Sequence, residues 1–413
     1  MNDNLREFDV ILWGASGFTG RLVAAYLVEQ FGVGEDLRWA IAGRNLSKLK
    51  RIRDGIPGAQ DLPILTADST DEQAMSEMAA RSSVICTTVG PYALYGTPLL
   101  AACVLHGTHY CDLTGEVHWM SRMIGQFQEV AEKSGARIVH TCGFDCIPSD
   151  LGVWFLQEEM RKRHGVVATE AKFRVAKIKG GASGGTIYSI INMLDEADLD
   201  PEIGELLADP YALYPAGVAA GSDGNDQTAA LFDVDFDSWT APFLMAPVNT
   251  RVVRRSNALM KFSYGANFSY SESVLAGSGL SGRIRSGRDA LLGGVGMGLM
   301  SVGPTRNLLR RMLPAPGEGP SQKKREEGYY DIYIHGSHPE DKDKDVRVRV
   351  CGDRDPGYGS TSKMLAEAAV CLAKDELEVG GGFWTPASAL GGQLLERLEA
   401  RAGLTFEVVD QVA

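Results

Sequence analysis

A short apolar run, Val10–Trp13, stops at Gly14, and two more glycines, Gly17 and Gly20, follow at three-residue intervals before an amphipathic helix begins. A strand that must turn sharply into a helix needs a first residue without a Cβ. A second glycine lets backbone N–H groups approach a pyrophosphate, and a third lets the helix pack closely on the sheet. The helix start then turns its positive dipole end toward the phosphates. Ser16, Phe18 and Thr19, which lie between the glycines, belong to the same candidate cradle. The spacing is G-x-x-G-x-x-G, a looser form than G-x-G-x-x-G, and a generic strand-to-helix turn would use the same glycines for packing alone. Its place directly after the first strand favours dinucleotide binding.

Downstream, apolar runs alternate with helical patterns as far as residue 145. Val10–Trp13, Trp39–Ala42, Ile64–Ala67, Val84–Thr88, Tyr110–Leu113 and Arg137–Thr141 are expected as short buried strands. Helices are expected between them. This rhythm predicts an α/β fold of the Rossmann type, a doubly wound parallel sheet covered on both faces. It breaks after Asp150. A second, α+β domain is expected over 151–360, with strand-like alternation at Glu170–Ile178, Phe262–Ser273 and Arg347–Cys351. Residues 361–413 then return to helix, with a second helix expected at Pro386–Ala402, and should pack back on the first domain, residues 1–150. A chain of 413 residues accommodates this division.

Charge and composition exclude several classes. A net charge of −12 repels phosphate backbones, so no nucleic-acid partner is expected. The polar start MNDNLRE does not resemble a secretion signal, and seven scattered cysteines suit a reducing cytoplasm. Neither the cysteines nor the histidines show metal-site spacing, and no metal is expected. Ala290–Val302 is apolar, glycine-rich and flanked by arginines. It is too short to span a bilayer, and it suits either a buried helix or a surface touching a membrane or a lipid tail.

The loops after the strands carry the chemistry. After the second strand an acidic residue would select NAD; here stands Arg44, which can meet a 2′-phosphate with charge-assisted hydrogen bonds. Asp68 ends the third strand, either against an adenine ring or as a helix cap, a role for which Ser69 and Thr70 compete. Gly90 and Pro91 end the fourth strand where the nicotinamide half would lie, and Tyr92 and Tyr95 can point into the cleft or pack in the loop. Asp112, Glu116 and Asp145 bring acids to the same edge. The cluster Gly180–Thr186 suits an anion nest or a tight bend. No Lys or Arg occurs between Gly180 and Thr250, and Arg251, Arg254 and Arg255 follow.

The motifs GASGFTGR, AGRN, TTVGPYALYG, YCDLTGE and CGFDCIPSDLG resemble the saccharopine dehydrogenase-like oxidoreductases. KGGASGGT, FLMAPVNTRVVRRSNAL, EGYYDI, DPGY and GGFWTPASALG resemble the trans-acting enoyl reductases within them. The similarity runs from about Phe8 to Leu404. It implies an NADPH-dependent reductase of a carbon–carbon double bond in a polyketide- or fatty-acid-derived lipid intermediate, free or held on a carrier. Gly14, Gly17 and Gly20 would bind the pyrophosphate and Arg44 the 2′-phosphate. For the proton donor, Tyr92 comes first, with Asp145 and Tyr188 as alternatives. An amino-acid oxidoreductase of the saccharopine type, or an NADP(H)-binding protein without turnover, remain competing readings.

Overall fold

The computed structural model describes residues 6–34, 36–180, 184–221, 223–312 and 318–409. Six apolar runs form β1 (Phe8–Trp13), β2 (Trp39–Gly43), β3 (Ile64–Thr66), β4 (Ser82–Thr87), β5 (His109–Cys111) and β6 (Arg137–Val139). They lie parallel in the order β6-β5-β4-β1-β2-β3, the doubly wound arrangement whose switch point falls between β1 and β4. Alternate residues of β1 face opposite sides, as a pleated strand requires. Val10 and Leu12 join Val23 and Leu27 of helix Phe18–Phe31 and Met364 and Leu365 of helix Thr361–Lys374 in one apolar cluster. Ile11 and Trp13 pack on the other side, with Met75, Leu100 and Met123. Both faces of the sheet are therefore dry, which explains why its strands read as unbroken apolar runs rather than as alternation.

The remaining strands are β7 (Glu170–Lys179), β8 (Leu231–Asp233), β9 (Ser238–Pro242), β10 (Ser269–Gly277), β11 (Tyr329–Ser337), β12 (Val346–Gly352), β13 (Gly382–Trp384) and β14 (Leu404–Val408). All but β13 form a second, mixed sheet in the order β14-β12-β11-β7-β10-β9-β8, in which only β7 and β10 run parallel. Helix Ile147–His164 leaves the first sheet and lies on the second so closely that a Cβ on Gly152 would stand 2.5 Å from Ile334 Cδ1. Phe173, Ile332, Ile334 and Val348 of the second sheet belong to the same apolar cluster as Val10 and Leu12 of the first.

Three expectations need correction. The strand expected at Phe262–Ser273 begins only at Ser269. Lys261 and Phe262 adopt φ of 56° and 59°, and the Phe262 N–H folds back to the Asn257 carbonyl, so these residues make a turn. The expected helix Pro386–Ala402 is broken into Pro386–Ala389, Gly391–Arg397 and Leu398–Ala402, with Gly391 at φ 40° after the first piece. The glycine-rich turn before it holds β13, which pairs in parallel with β6 and extends the first sheet.

Candidate active site

The loops after β1 to β6 converge at the carboxyl edge of the first sheet. Gly14 has φ of 91°, and a Cβ there would lie 2.6 Å from Val89 Cγ2. A Cβ on Gly20 would come within 2.3 Å of the Gly14 carbonyl oxygen, so the helix rests directly on the turn. A Cβ on Gly17 would meet only that oxygen, at 3.3 Å, and its other side is open. Gly17 is the helix N-cap and supplies no side-chain acceptor, and the first turn carries no acid. The N–H groups of Phe18, Thr19 and Gly20 thus have no intrahelical acceptor. Such an uncapped helix start suits an anion, and each glycine answers a separate steric demand of the turn. Ser16 is half-buried beside it, its Oγ 3.5 Å from the point a Gly43 Cβ would occupy.

Arg44 follows β2 directly and is exposed. Asp68 is also exposed. Hydrogen bonds from Thr70 N and Oγ1 (3.0 and 2.8 Å), then the charge of Arg44, hold its carboxyl below the usual range. Asp68 does not cap the next helix, and neither do Ser69 or Thr70. That role falls to Asp71, which accepts the Ala74 N–H at 3.0 Å.

Tyr92 stands differently from expectation. Its ring is buried and packs on Trp119 with centroids 5.6 Å apart. Its hydroxyl donates to the Thr87 carbonyl (3.3 Å) and accepts the Leu113 N–H (3.1 Å). Burial, with the Asp112 charge adding, pushes the phenol well above its ordinary pKa. Tyr92 therefore ties the ends of β4 and β5 together, and its proton faces a core carbonyl rather than an open cleft. Gly90, just before it, is exposed.

Glu116 organises this corner. Its buried carboxylate accepts Tyr92 N and Ala93 N, both at 2.8 Å, and Ser189 Oγ at 2.7 Å. The last bond brings in helix Gly184–Leu199, whose first turns carry Tyr188, half-buried. At the start of that helix Gly184 N donates to Tyr358 Oη (2.9 Å), and the Tyr358 ring meets Phe18 edge-on at 4.7 Å. The glycine turn, the Tyr92 loop and helix Gly184–Leu199 are thereby held in one place. Of the expected anion nest at Gly180–Thr186, residues 181–183 lie outside the described residues.

Asp145 sits in the loop after β6 and is half-buried; desolvation raises its carboxyl to about 7. An acid with that pKa carries a transferable proton near neutrality.

A model described as the saccharopine dehydrogenase NADP-binding domain matches residues 10–139. A putative trans-acting enoyl reductase of Mycobacterium tuberculosis is 42% identical over 417 residues, covering 97% of both chains. The trans-acting enoyl reductase of Mycobacterium ulcerans is 37% identical, covering 96% of this chain and 97% of its own. The chain belongs to the trans-acting enoyl reductase family. Its fold resembles that of apo saccharopine dehydrogenase (L-Glu forming) from Saccharomyces cerevisiae, with a TM-score of 0.55 and 12% identity over 97% of this chain and 99% of that one.

As a member of this family the protein is an NADP-dependent oxidoreductase, and the open, uncapped turn at Gly14–Gly20 fits the coenzyme's pyrophosphate. One buried pair was not singled out in the sequence. Asp112 Oδ2 meets His140 Nδ1 at 2.7 Å, while Asp112 Oδ1 accepts Thr114 N and Thr141 N. The signal was available: β5 and β6 pair Cys111 with Val139, so the next residues, an acid and a histidine, must lie side by side. Among the described residues, no group of three His, Cys, Asp or Glu is placed to hold a metal ion.

Proposed function

We propose that this protein reduces the carbon–carbon double bond of an α,β-unsaturated carbonyl in a polyketide- or fatty-acid-derived lipid, acting in trans on a carrier-bound intermediate. In this reading residues 1–150 form the coenzyme half, 151–360 the substrate half, and 361–413 pack back on the first. NADPH, when bound, supplies hydride to the β-carbon. The Gly14–Gly20 turn and the N–H groups of Phe18 and Thr19 hold its pyrophosphate, Arg44 holds the 2′-phosphate, and Ser16, Asp68 and Gly90 border it. Asp145 holds the proton destined for the α-carbon, and Tyr188 is the alternative donor. Tyr92 acts by fixing the loop wall.

One observation carries the choice of a lipid over an amino acid. A site for amino acids needs cations to clamp α-carboxylates. Arg251, Arg254 and Arg255 follow the segment that lacks Lys and Arg, but all three are buried and committed. Arg251 pairs with Asp226 and Arg254 with Asp223 (2.9 Å), while Arg255 donates to the Leu213 and Phe383 carbonyls at 2.6 and 2.8 Å. Buried behind these partners, none of the three presents its guanidinium to an open cleft where a substrate carboxylate could bind. The reading also carries a cytoplasmic location, with contact between the region of Ala290–Val302 and a membrane. No helix among the described residues is long and apolar enough to cross one.

The decisive assay offers NADPH with an enoyl thioester in one reaction and with α-ketoglutarate plus lysine in another. Oxidation is expected only in the first. Turnover only in the second would assign the chain to amino-acid chemistry, and binding without turnover, together with unchanged lipids in a deletion strain, would make it a non-catalytic NADP(H) binder.

A further inference from the structure

Helix Gly279–Ser301 is 23 residues long, roughly 34 Å, yet its buried residues, Gly282 and Ser286, lie only in its first half. There a Cβ on Gly282 would stand 1.8 Å from the Gly277 carbonyl oxygen, and buried Ser286 donates to the Thr240 carbonyl at 2.9 Å. Beyond this anchor, Cβ atoms on Gly293, Gly294, Gly296 and Gly298 would meet nothing within 4 Å. The outer face carries Leu280, Ile284, Leu291, Leu292, Val295 and Leu299, each between 47% and 72% exposed. Spacings of four and seven residues place Leu280, Ile284, Leu291 and Val295 on one stripe. A helix whose second half holds four glycines has low intrinsic stability in water, and an uncovered aliphatic face adds to the cost.

Charge identifies what covers it. The whole chain carries −12, but helix Gly279–Ser301 holds three arginines, Arg283, Arg285 and Arg288, against one acid, Asp289, which pairs with Arg288 at 2.7 Å. Arg283, Arg285 and Arg288 are exposed around the anchored half of the helix. An aliphatic stripe with cations beside it fits a surface that is oily below and anionic above. A second copy of this acidic chain does not offer that charge.

We infer that helix Gly279–Ser301 docks the protein on an anionic lipid surface, with Leu291, Val295 and Leu299 in the acyl boundary and Arg285 and Arg288 at the headgroups. The docking element is joined to the candidate active site. The next helix, Gly303–Met312, turns back, and its Arg306 pairs with Asp195 (2.9 Å) and Asp198 of helix Gly184–Leu199, while Arg310 also pairs with Asp195. That is the helix whose Ser189 reaches Glu116. Docking thus sets the cleft beside the surface from which an oily substrate arrives.

Vesicle co-sedimentation of the full chain tests this without reference to turnover. The protein should pellet with phosphatidylcholine vesicles containing phosphatidylglycerol, stay in solution with phosphatidylcholine alone, and release at high salt. Leu291→Glu/Val295→Glu/Leu299→Glu should abolish pelleting, and Arg285→Glu/Arg288→Glu should weaken it by about tenfold or more. Unchanged NADPH affinity in both variants confirms that they fold. Wild-type protein that ignores anionic vesicles, or binds both vesicle types equally, overturns the inference. So does a dimer in sedimentation velocity that the triple variant converts to monomer, which would give the stripe to a second copy.

Discussion

In the proposed reaction Arg44 and Asp145 would each bear one separable part of the chemistry. Arg44 stands where an acid would select NAD, and its exposed guanidinium acts on the neighbouring Asp68 carboxyl. Two charge-assisted hydrogen bonds to a 2′-phosphate contribute on the order of 1.5–3 kcal/mol each before solvent screening weakens them. Arg44→Ala should therefore raise the NADPH dissociation constant by about tenfold to a hundredfold and leave that for NADH unchanged, as measured by fluorescence titration. An equal loss for both coenzymes would remove Arg44 from the 2′-phosphate. Asp145, raised to about 7 by desolvation, is protonated below neutrality. If it donates the proton, kcat should fall as pH rises through about 7. Asp145→Asn should lower kcat by about a hundredfold or more and abolish that slope. A slope that survives in Asp145→Asn would shift the role to Tyr188. The sequence placed Arg44 directly after β2 and the glycines directly after β1, and the structure has them there, because position along a strand is legible in the apolar runs. It misled on Tyr92, since nothing in TTVGPYALYG says that its hydroxyl would be claimed by Thr87 and Leu113 across the β4–β5 gap.

Among the elements, legibility followed burial. β1, β2 and β4 are covered on both faces, so their composition alone revealed them, and β3, β5 and β6 followed from the alternating rhythm although β3 is a partly exposed edge. The second sheet was only partly visible. β8 and β13 have three residues each, too few for any period to register, and β13 hides in a glycine-rich stretch because its role is only to extend an edge. β10 carries a consequence for pH. Tyr270 and Glu272, two residues apart on one face of the strand, share a 2.6 Å hydrogen bond, and Asn249 Nδ2 donates to the same carboxylate at 3.0 Å. No cation is among the causes acting on Glu272, and burial raises it to about 7. The folded state then holds a proton that the unfolded chain releases near pH 4.5, so this group's stabilisation is complete at low pH and is lost as pH rises through 7. His109, His118 and His335 are all lowered, chiefly by burial, and work in the opposite direction below their ordinary range, so the wild-type profile mixes both effects. Glu272→Gln isolates one. It mimics the protonated acid, so its Tm should draw level with wild type near pH 5 and exceed it increasingly up to pH 8. Parallel Tm curves in a fluorimetric scan would show that Glu272 is ionised throughout.

For the molecule as a whole, the open question is whether the coenzyme half stands alone, as its self-contained rhythm suggests. The packing argues otherwise. Helix Thr361–Lys374 lies on β1, β4 and β5 beside helix Phe18–Phe31. It buries Met364, Leu365, Ala368, Ala369 and Leu372 there. Glu367, fully buried, accepts Tyr26 Oη at 2.7 Å and Arg397 Nη1 at 3.3 Å, and Lys374 Nζ meets Asp9 at 2.6 Å. Removing residues beyond 150 would strip one face of the sheet, bare the β6 edge that β13 covers, and leave the Tyr26 hydroxyl without its acceptor. The larger aliphatic side chains each contribute on the order of 1.5–3 kcal/mol on burial. Three of them, Met364, Leu365 and Leu372, match much of the roughly 5–15 kcal/mol that holds a domain folded. A fragment of residues 1–150 should therefore show no cooperative melt and no NADPH binding, although every glycine of the cradle is present. Restoring 361–409 through a flexible linker should recover both, since that segment brings back the covering helix and the edge strand together. If the short fragment melts cooperatively and binds NADPH by calorimetry, the carboxyl-terminal segment is dispensable cover, and the two sheets are independent folding units despite the core they share.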